Sequence, residues 1–250
     1  MAAVGFLLLA FVWELAPRLG AIDPQFFPPL TVLLRELAQL ATTQEFWAYV
    51  ASTARTWFLG LLLATVTGVI GGLLIGLVPG ARKYTHSTIE FLRPIPSVAL
   101  IPGVILVFGS KYQSGVVLIT YAAFWQVLIQ ILYGLNDIDA VARDTARSFR
   151  LGTWGFIRHV AWPTLLPFLF TGLRLAASIA LVLAVTSEMV IGSFGIGRGI
   201  VVAQTSAAVP TMYALVIVAG LMGVGIIVAA RALEKRVLRW HPSVRNLDAI

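Results

Sequence analysis

Residues 53–78 read TARTWFLGLLLATVTGVIGGLLIGLV, an apolar run whose single charge, Arg55, stands near its start. A helix needs about 20 apolar residues to cross the hydrocarbon of a bilayer, so this stretch is long enough to span. Gly60, Gly68, Gly71, Gly72 and Gly76 punctuate it. Small residues let helices approach closely in lipid, where packing replaces the hydrophobic drive. A strand of a membrane barrel would alternate apolar and polar residues, and this run does not.

Working outward, the same character covers most of the chain. Of its 250 residues, 59% are hydrophobic and 12% charged, against roughly 45–50% and 25% in soluble domains. That argues against a soluble, fibrous or disordered chain. Upstream, residues 1–17 are nearly all apolar, with Glu14 the one charge; they lack the basic n-region and A-x-A site of a signal peptide. After Pro24, Pro28 and Pro29, residues 30–40 carry helical apolar spacing and predict an amphipathic helix outside the core. Downstream, residues 84–108 hold His86, Glu90 and Arg93, then Pro94, Pro96 and Pro102, which predicts a kinked or broken helix. Spans are expected at 115–135, 163–191 and 210–230, the second with Arg174 and Glu188 inside its limits. Residues 192–199 are expected to be a flexible glycine-rich turn. The expected architecture is therefore an all-α membrane protein of about six transmembrane helices, a single domain over 1–250.

The charge pattern orients it. With the N-terminus inside, Arg82, Lys83, Arg143, Arg147, Arg150, Arg158, Arg231, Lys235, Arg236, Arg239 and Arg245 fall on the inner side, and Arg18, Arg35, Lys111 and Arg198 on the outer. Basic residues concentrate on cytoplasmic loops, so both termini, including the polar tail 231–250, are expected in the cytoplasm. The net charge of +7 is then a membrane-topology signal and implies no nucleic acid. The chain has no Cys, and His86, His159 and His241 are far apart, so neither a disulfide framework nor a metal site is expected. No phosphate-binding G-x-x-x-x-G-K-[ST] occurs, and no triad or carboxylate pair suggests an enzyme.

The most informative polar stretch is 136–160. Asn136 or Asp137 can cap a helix start, and Ile138, Val141, Ala142, Thr145 and Phe149 fall at spacings that share one helix face. Arg143, Arg147 and Arg150 form a basic stripe on another. Such a helix can lie along the membrane or dock in a partner's groove. Composition alone favours the simpler reading, a solvated basic loop.

Asp144-Thr-Ala-Arg-Ser-Phe-Arg150, followed by Trp162-Pro163, resembles the EAA loop of bacterial ABC importer permeases. That pattern is Glu-Ala-Ala, three residues, Gly, then Pro thirteen positions on. Asp144 stands on the Glu, Thr145 on the first Ala, Ala146 on the second, Arg150 on the Gly and Pro163 on the Pro; Gly152 lies two positions late. Leu92-Arg-Pro-Ile-Pro96, Gly134-Leu135, Pro167, Gly172-Leu-Arg174, Glu188-Met189 and Gly195-Ile-Gly197 resemble the nitrate, sulfonate and taurine branch of these permeases, so the likeness covers most of the chain.

The resemblance implies a type I ABC importer permease in the bacterial inner membrane. It implies a second permease copy, two cytoplasmic ATPase subunits that carry the ATP and Mg, and an external solute-binding protein; no cofactor is expected on this chain. It implies ATPase coupling through the loop 144–163, with Asp144, Thr145, Ala146, Arg147, Phe149, Arg150 and Gly152 as the contact residues. The solute would be a small anion of the nitrate, sulfonate, taurine or bicarbonate class, or else a thiamine precursor, riboflavin or an aromatic acid. Arg93, Pro94, Pro96, Ser97 and Pro102 are candidates for the translocation path, because broken helices expose backbone groups to a cavity; a kink packed on neighbours fits equally well. Arg174 and Glu188 are candidates as intramembrane charges, against the simpler reading that each reaches an interface. An ion-gradient-driven secondary transporter is the alternative class, and a purely structural membrane anchor a third; the scarcity of midplane charge weighs against the first of these.

Overall fold

The glycines of the first long helix decide how the bundle packs. In the computed structural model, which describes residues 2–239, α3 runs over Gln44–Leu77 and α6 over Tyr112–Asn136. A Cβ on Gly68 would stand 2.9 Å from Val127, and one on Gly72 would stand 2.6 Å from Ile131. Gly60 likewise faces Ile119 and Gly76 faces Leu135. Each partner lies the same distance further along the chain, so α3 and α6 run parallel and nearly backbone to backbone. Ala64 and Ala123, both fully buried, continue the stripe.

Parallel neighbours require the chain between them to return across the bundle. That return is α4 (Ala81–Leu92), a short 3₁₀ turn (Ser97–Leu100) and α5 (Ile101–Phe108), bent by 80° at the break. Pro94 and Pro96 lack the N–H groups that a continuous helix needs there. The expected broken helix is therefore present.

Gly134 packs on Leu165 and Phe168, Gly172 on Gln130, and Gly115 on Ser187, so α9 (Trp162–Ile191) lies antiparallel to α6. Its helix begins earlier than the expected Pro163. It runs from Thr153 through α8 (Thr153–Phe156) and a π turn at Ile157–Ala161. The wide turn sits just before Pro163, where the proline ring interrupts the regular ladder. Next, α10 (Ile196–Thr205) replaces the second half of the expected flexible turn with helix. Last, α11 (Val209–Val237) continues past the expected limit of 230. The remainder of the expected tail, 240–250, lies outside the described residues.

Near the N-terminus, α1 (Ala2–Arg18) is a 17-residue helix and α2 spans Leu30–Leu40 as expected. Trp13 stacks on Phe27 with centroids 4.7 Å apart, and Tyr213 of α11 meets both rings edge-on. Glu36 of α2 accepts a 2.6 Å hydrogen bond from Thr211. Among the described residues, four helices are long and apolar enough to cross a membrane, and five if the bent pair counts as one; α1, the sixth expected span, is a little shorter. One end of the bundle collects α7 (Ala140–Ser148), the start of α4 and the ends of α3, α6 and α11. Ten of the expected inner cations fall there, Arg82 through Arg239.

Candidate coupling and translocation site

At the basic end, Asp139 rather than Asn136 or Asp137 caps α7, accepting from the Val141 N–H at 2.6 Å and the Ala142 N–H at 3.4 Å. The expected single apolar face divides in two. Ile138 and Ala146 are buried against the bundle. Val141 and Phe149 point out, at 73% and 77% exposure. With Thr145 between them, they stand at i, i+4 and i+8 and form an outward row. Around this row lies a concavity of about 470 Å³ lined by Asp139, Ala142, Leu151 and Val160 as well. Asp144 and Arg147 are exposed and paired at 3.6 Å.

The end of α7 explains an odd residue. The Leu151 N–H bonds to the Ala146 carbonyl at 2.9 Å and the Arg150 N–H to that of Arg147 at 2.9 Å. This is the paired-bond helix stop whose intervening residue adopts a left-handed backbone, usually as glycine. Arg150 takes that conformation with φ 49°. Gly152 has an extended backbone, φ −63° and ψ 171°, and starts α8.

The path candidates separate. Arg93, Pro94, Pro96 and Pro102 are exposed and Ser97 is half-buried, so the break stands open on one side of the chain. On its packed side, Tyr121 donates to the Leu92 carbonyl at 2.7 Å. Arg174 lies at the basic end and pairs with Glu234 of α11 at 3.3 Å, an ion pair between spans that sequence separation hid.

Glu188 does not reach an interface. It is 1% exposed, at the end opposite α7. Its Oε2 accepts from Thr53 Oγ1 at 2.8 Å and from the Gly197 N–H at 2.9 Å, while Thr53 Oγ1 accepts from the Ile196 N–H at 2.9 Å. Two first-turn N–H groups of α10 thus find acceptors on α3 and α9. Gly195 and Gly197 are tight here: a Cβ on either would strike the Glu188 side chain, and on Gly197 also the Val185 carbonyl. Thr53 was missed by sequence reading, because its role depends on contacts 135 and 143 positions away.

Residues 64–239 match the family described as binding-protein-dependent transport system inner membrane component. The chain belongs to this family. This permease is 28% identical over 243 residues to the taurine transport system permease protein TauC of Escherichia coli (strain K12), covering 95% of this chain and 88% of TauC. It is 28% identical to the putative aliphatic sulfonates transport permease protein SsuC of Bacillus subtilis (strain 168), covering 93% and 84%. Two solved structures share the fold: the inward-facing MetNI methionine ABC transporter, with TM-score 0.61 over 84% of this chain and 98% of that one at 18% identity, and an amino acid ABC transporter crystallised with histidines, with TM-score 0.63 over 77% and 93% at 17% identity. The permease's described residues are all-helical, with the type I ABC importer permease fold of these structures; by family the permease is an inner membrane component of an ABC transport system, and no enzyme itself.

Proposed function

We propose that this chain forms, with a second copy, the translocation path for a small anionic solute, delivered by an external binding protein and driven by two cytoplasmic ATPases that carry the ATP and Mg. The whole chain, 1–250, acts as one permease unit with the basic end and both termini in the cytoplasm. Relatives named for taurine, aliphatic sulfonates, nitrate and bicarbonate support the anion class.

The observation that carries the coupling is the outward row Val141, Thr145 and Phe149 on α7. No described residue covers it, it stands at the basic end, and it is held by a firm cap and a firm stop. A rigid helix moved by a two-state partner transmits a conformational change. Burying Phe149 in an ATPase cleft contributes roughly 1.5–3 kcal/mol. Asp144 and Arg147, with Thr145, Ala146, Arg150 and Gly152 around them, supply the polar rim and backbone frame.

The test is the reconstituted complex with its ATPase and binding protein. Phe149→Ala is expected to lower ATPase association by about 10-fold or more, the equivalent of that burial. Asp144→Lys is expected to uncouple hydrolysis from uptake while membrane insertion persists. Full assembly and full transport by both variants would remove α7 from the coupling role.

A further inference from the structure

The helix α4 has a polar side that the bundle leaves uncovered. Arg82, His86, Glu90 and Arg93 recur at i, i+4, i+8 and i+11, one stripe of a helix, with Lys83 and Ser87 beside it. All six are exposed, and α4 has no buried residue. The side adjoining this stripe packs on α6, where Ile89 and Leu92 rest against Trp125, Leu128 and Leu132. A third sector presents Tyr84 and Phe91, 84% and 73% exposed.

The depth of this stripe matters. Arg82 hydrogen-bonds Asn136 at the end of α6, and Leu92 is bonded by Tyr121. Those two anchors are fifteen residues apart on α6, about 22 Å of helix. So α4 does not lie flat on the membrane surface. Its 12 residues rise about 18 Å, roughly half of a crossing, with the polar stripe exposed, and charges on a lipid-facing side are costly. Water or another polar surface must meet them. At the basic end, Gly80, Arg82, Lys83, His86 and Ser87 surround a concavity of about 580 Å³, and Arg93 stands at the far end, where the helix breaks.

We propose that this face of α4 forms the basic-end half of the translocation path, an aqueous lane in which Lys83 and Arg82 at the mouth and Arg93 at the break draw anions. The lane rests on the reading of the chain as a permease with a central path, and deepens it by assigning a wall and a charge preference. Glu90, 3.6 Å from His86, is the one acid in the stripe and leaves it net cationic. The aromatic sector, Tyr84 and Phe91, faces away from the lane toward lipid or the second copy.

The absence of Cys from this chain makes single-cysteine probing direct. Ser87→Cys and Phe91→Cys are placed separately in the complete complex in lipid nanodiscs. Labelling of this chain is read by mass, with anionic methanethiosulfonate ethylsulfonate and cationic methanethiosulfonate ethyltrimethylammonium. Without nucleotide, Ser87→Cys is expected to react, and the anionic reagent to be favoured about 3- to 10-fold over its ratio with free cysteine, the scale of local ion enrichment in a charged cleft. Adding Lys83→Gln should reduce that preference while leaving the thiol reactive. Trapping the ATPases closed with ATP and vanadate should slow the reaction at least about 10-fold, since closure withdraws the basic-end opening. Phe91→Cys should stay inert throughout. A Ser87→Cys thiol that is inert, or that reacts equally in the trapped state, overturns the lane; a preference unmoved by Lys83→Gln overturns its charge selection. ATP hydrolysis by the parent complex is recorded on the same sample. An assembled, hydrolysing complex that fails the labelling test rejects the lane alone, whereas a chain that recruits no ATPase rejects the underlying permease reading.

Discussion

Arg150 holds a backbone conformation that costs an L-residue roughly 1–2 kcal/mol, and it does so at φ 49° within a helix stop. The frame of the loop resemblance expects glycine at this position, and the structure supplies the reason: only there does α7 turn back toward α8. The departure from the pattern is thus visible in sequence, but its cost is not, because nothing in the letters reports φ. Arg150→Gly removes the strain and adds some unfolded-state freedom. The expected net result is about 1 kcal/mol of added local stability, read as roughly fivefold slower amide exchange at Leu151. Exchange that is unchanged or faster would mean that the guanidinium contributes more than the strain removes. Glu188 teaches the opposite lesson. Its letter is legible as an intramembrane charge, yet its partners, Thr53 and the first turn of α10, are set by tertiary packing alone.

Among elements, the helix pair α3–α6 is the firmest, and its glycines were legible as a packing signal before their partners were. What sequence could not supply was the direction of the pairing, which follows from the fixed offset between Gly60, Gly68, Gly72 and their partners on α6. A Cβ at position 72 would press on Ile131 at 2.6 Å. Overpacking of this kind typically costs about 1–3 kcal/mol. Gly72→Ala should therefore lower the thermal midpoint of the detergent-solubilised chain, whereas in an Ile131→Ala background, which carries its own cavity cost of about 2–5 kcal/mol, the same Gly72→Ala change should cost little further, because room has been made. If the double variant is simply the sum of two losses, the helices are not in close register there. Elements with strong local signals, α2 and the proline break, matched expectation at their limits. The coupling helix did not match in detail. Ile138 precedes the Asp139 cap and lies outside α7, so helical spacing does not hold it on the expected face; it turns inward, as does Ala146, while Val141 and Phe149 turn out.

At the scale of the whole molecule, helix directions and charges make a single statement. α3 and α6 run parallel, α9 runs against them, and α11 runs against α9. The first three spans and the last therefore deliver α7, the start of α4 and the end of α11 to one side. The cations from Arg82 to Arg239 accumulate on that side, whereas Arg35, Lys111 and Arg198 belong to the other. Positively charged segments are retained on the cytoplasmic side during insertion, so the geometry defines the two ends and the charge rule alone supports the proposed orientation. Gly152 and Ser206 sample the two ends: both are exposed, Gly152 beside α7 and Ser206 at the end of α10. In a chain without Cys, Gly152→Cys and Ser206→Cys each carry one thiol. An impermeant thiol reagent added outside intact cells should label Ser206→Cys and spare Gly152→Cys, and permeabilisation should expose Gly152→Cys. Gly152→Cys has no neighbour within 4 Å in this chain to crowd its Cβ, so in cells that express the chain without its ATPase, shielding there reports the membrane and not a covered thiol. Ready labelling of Gly152→Cys in sealed cells would invert the molecule, put α7 outside the reach of any ATPase, and leave the basic end without the cytoplasmic role that its charge implies.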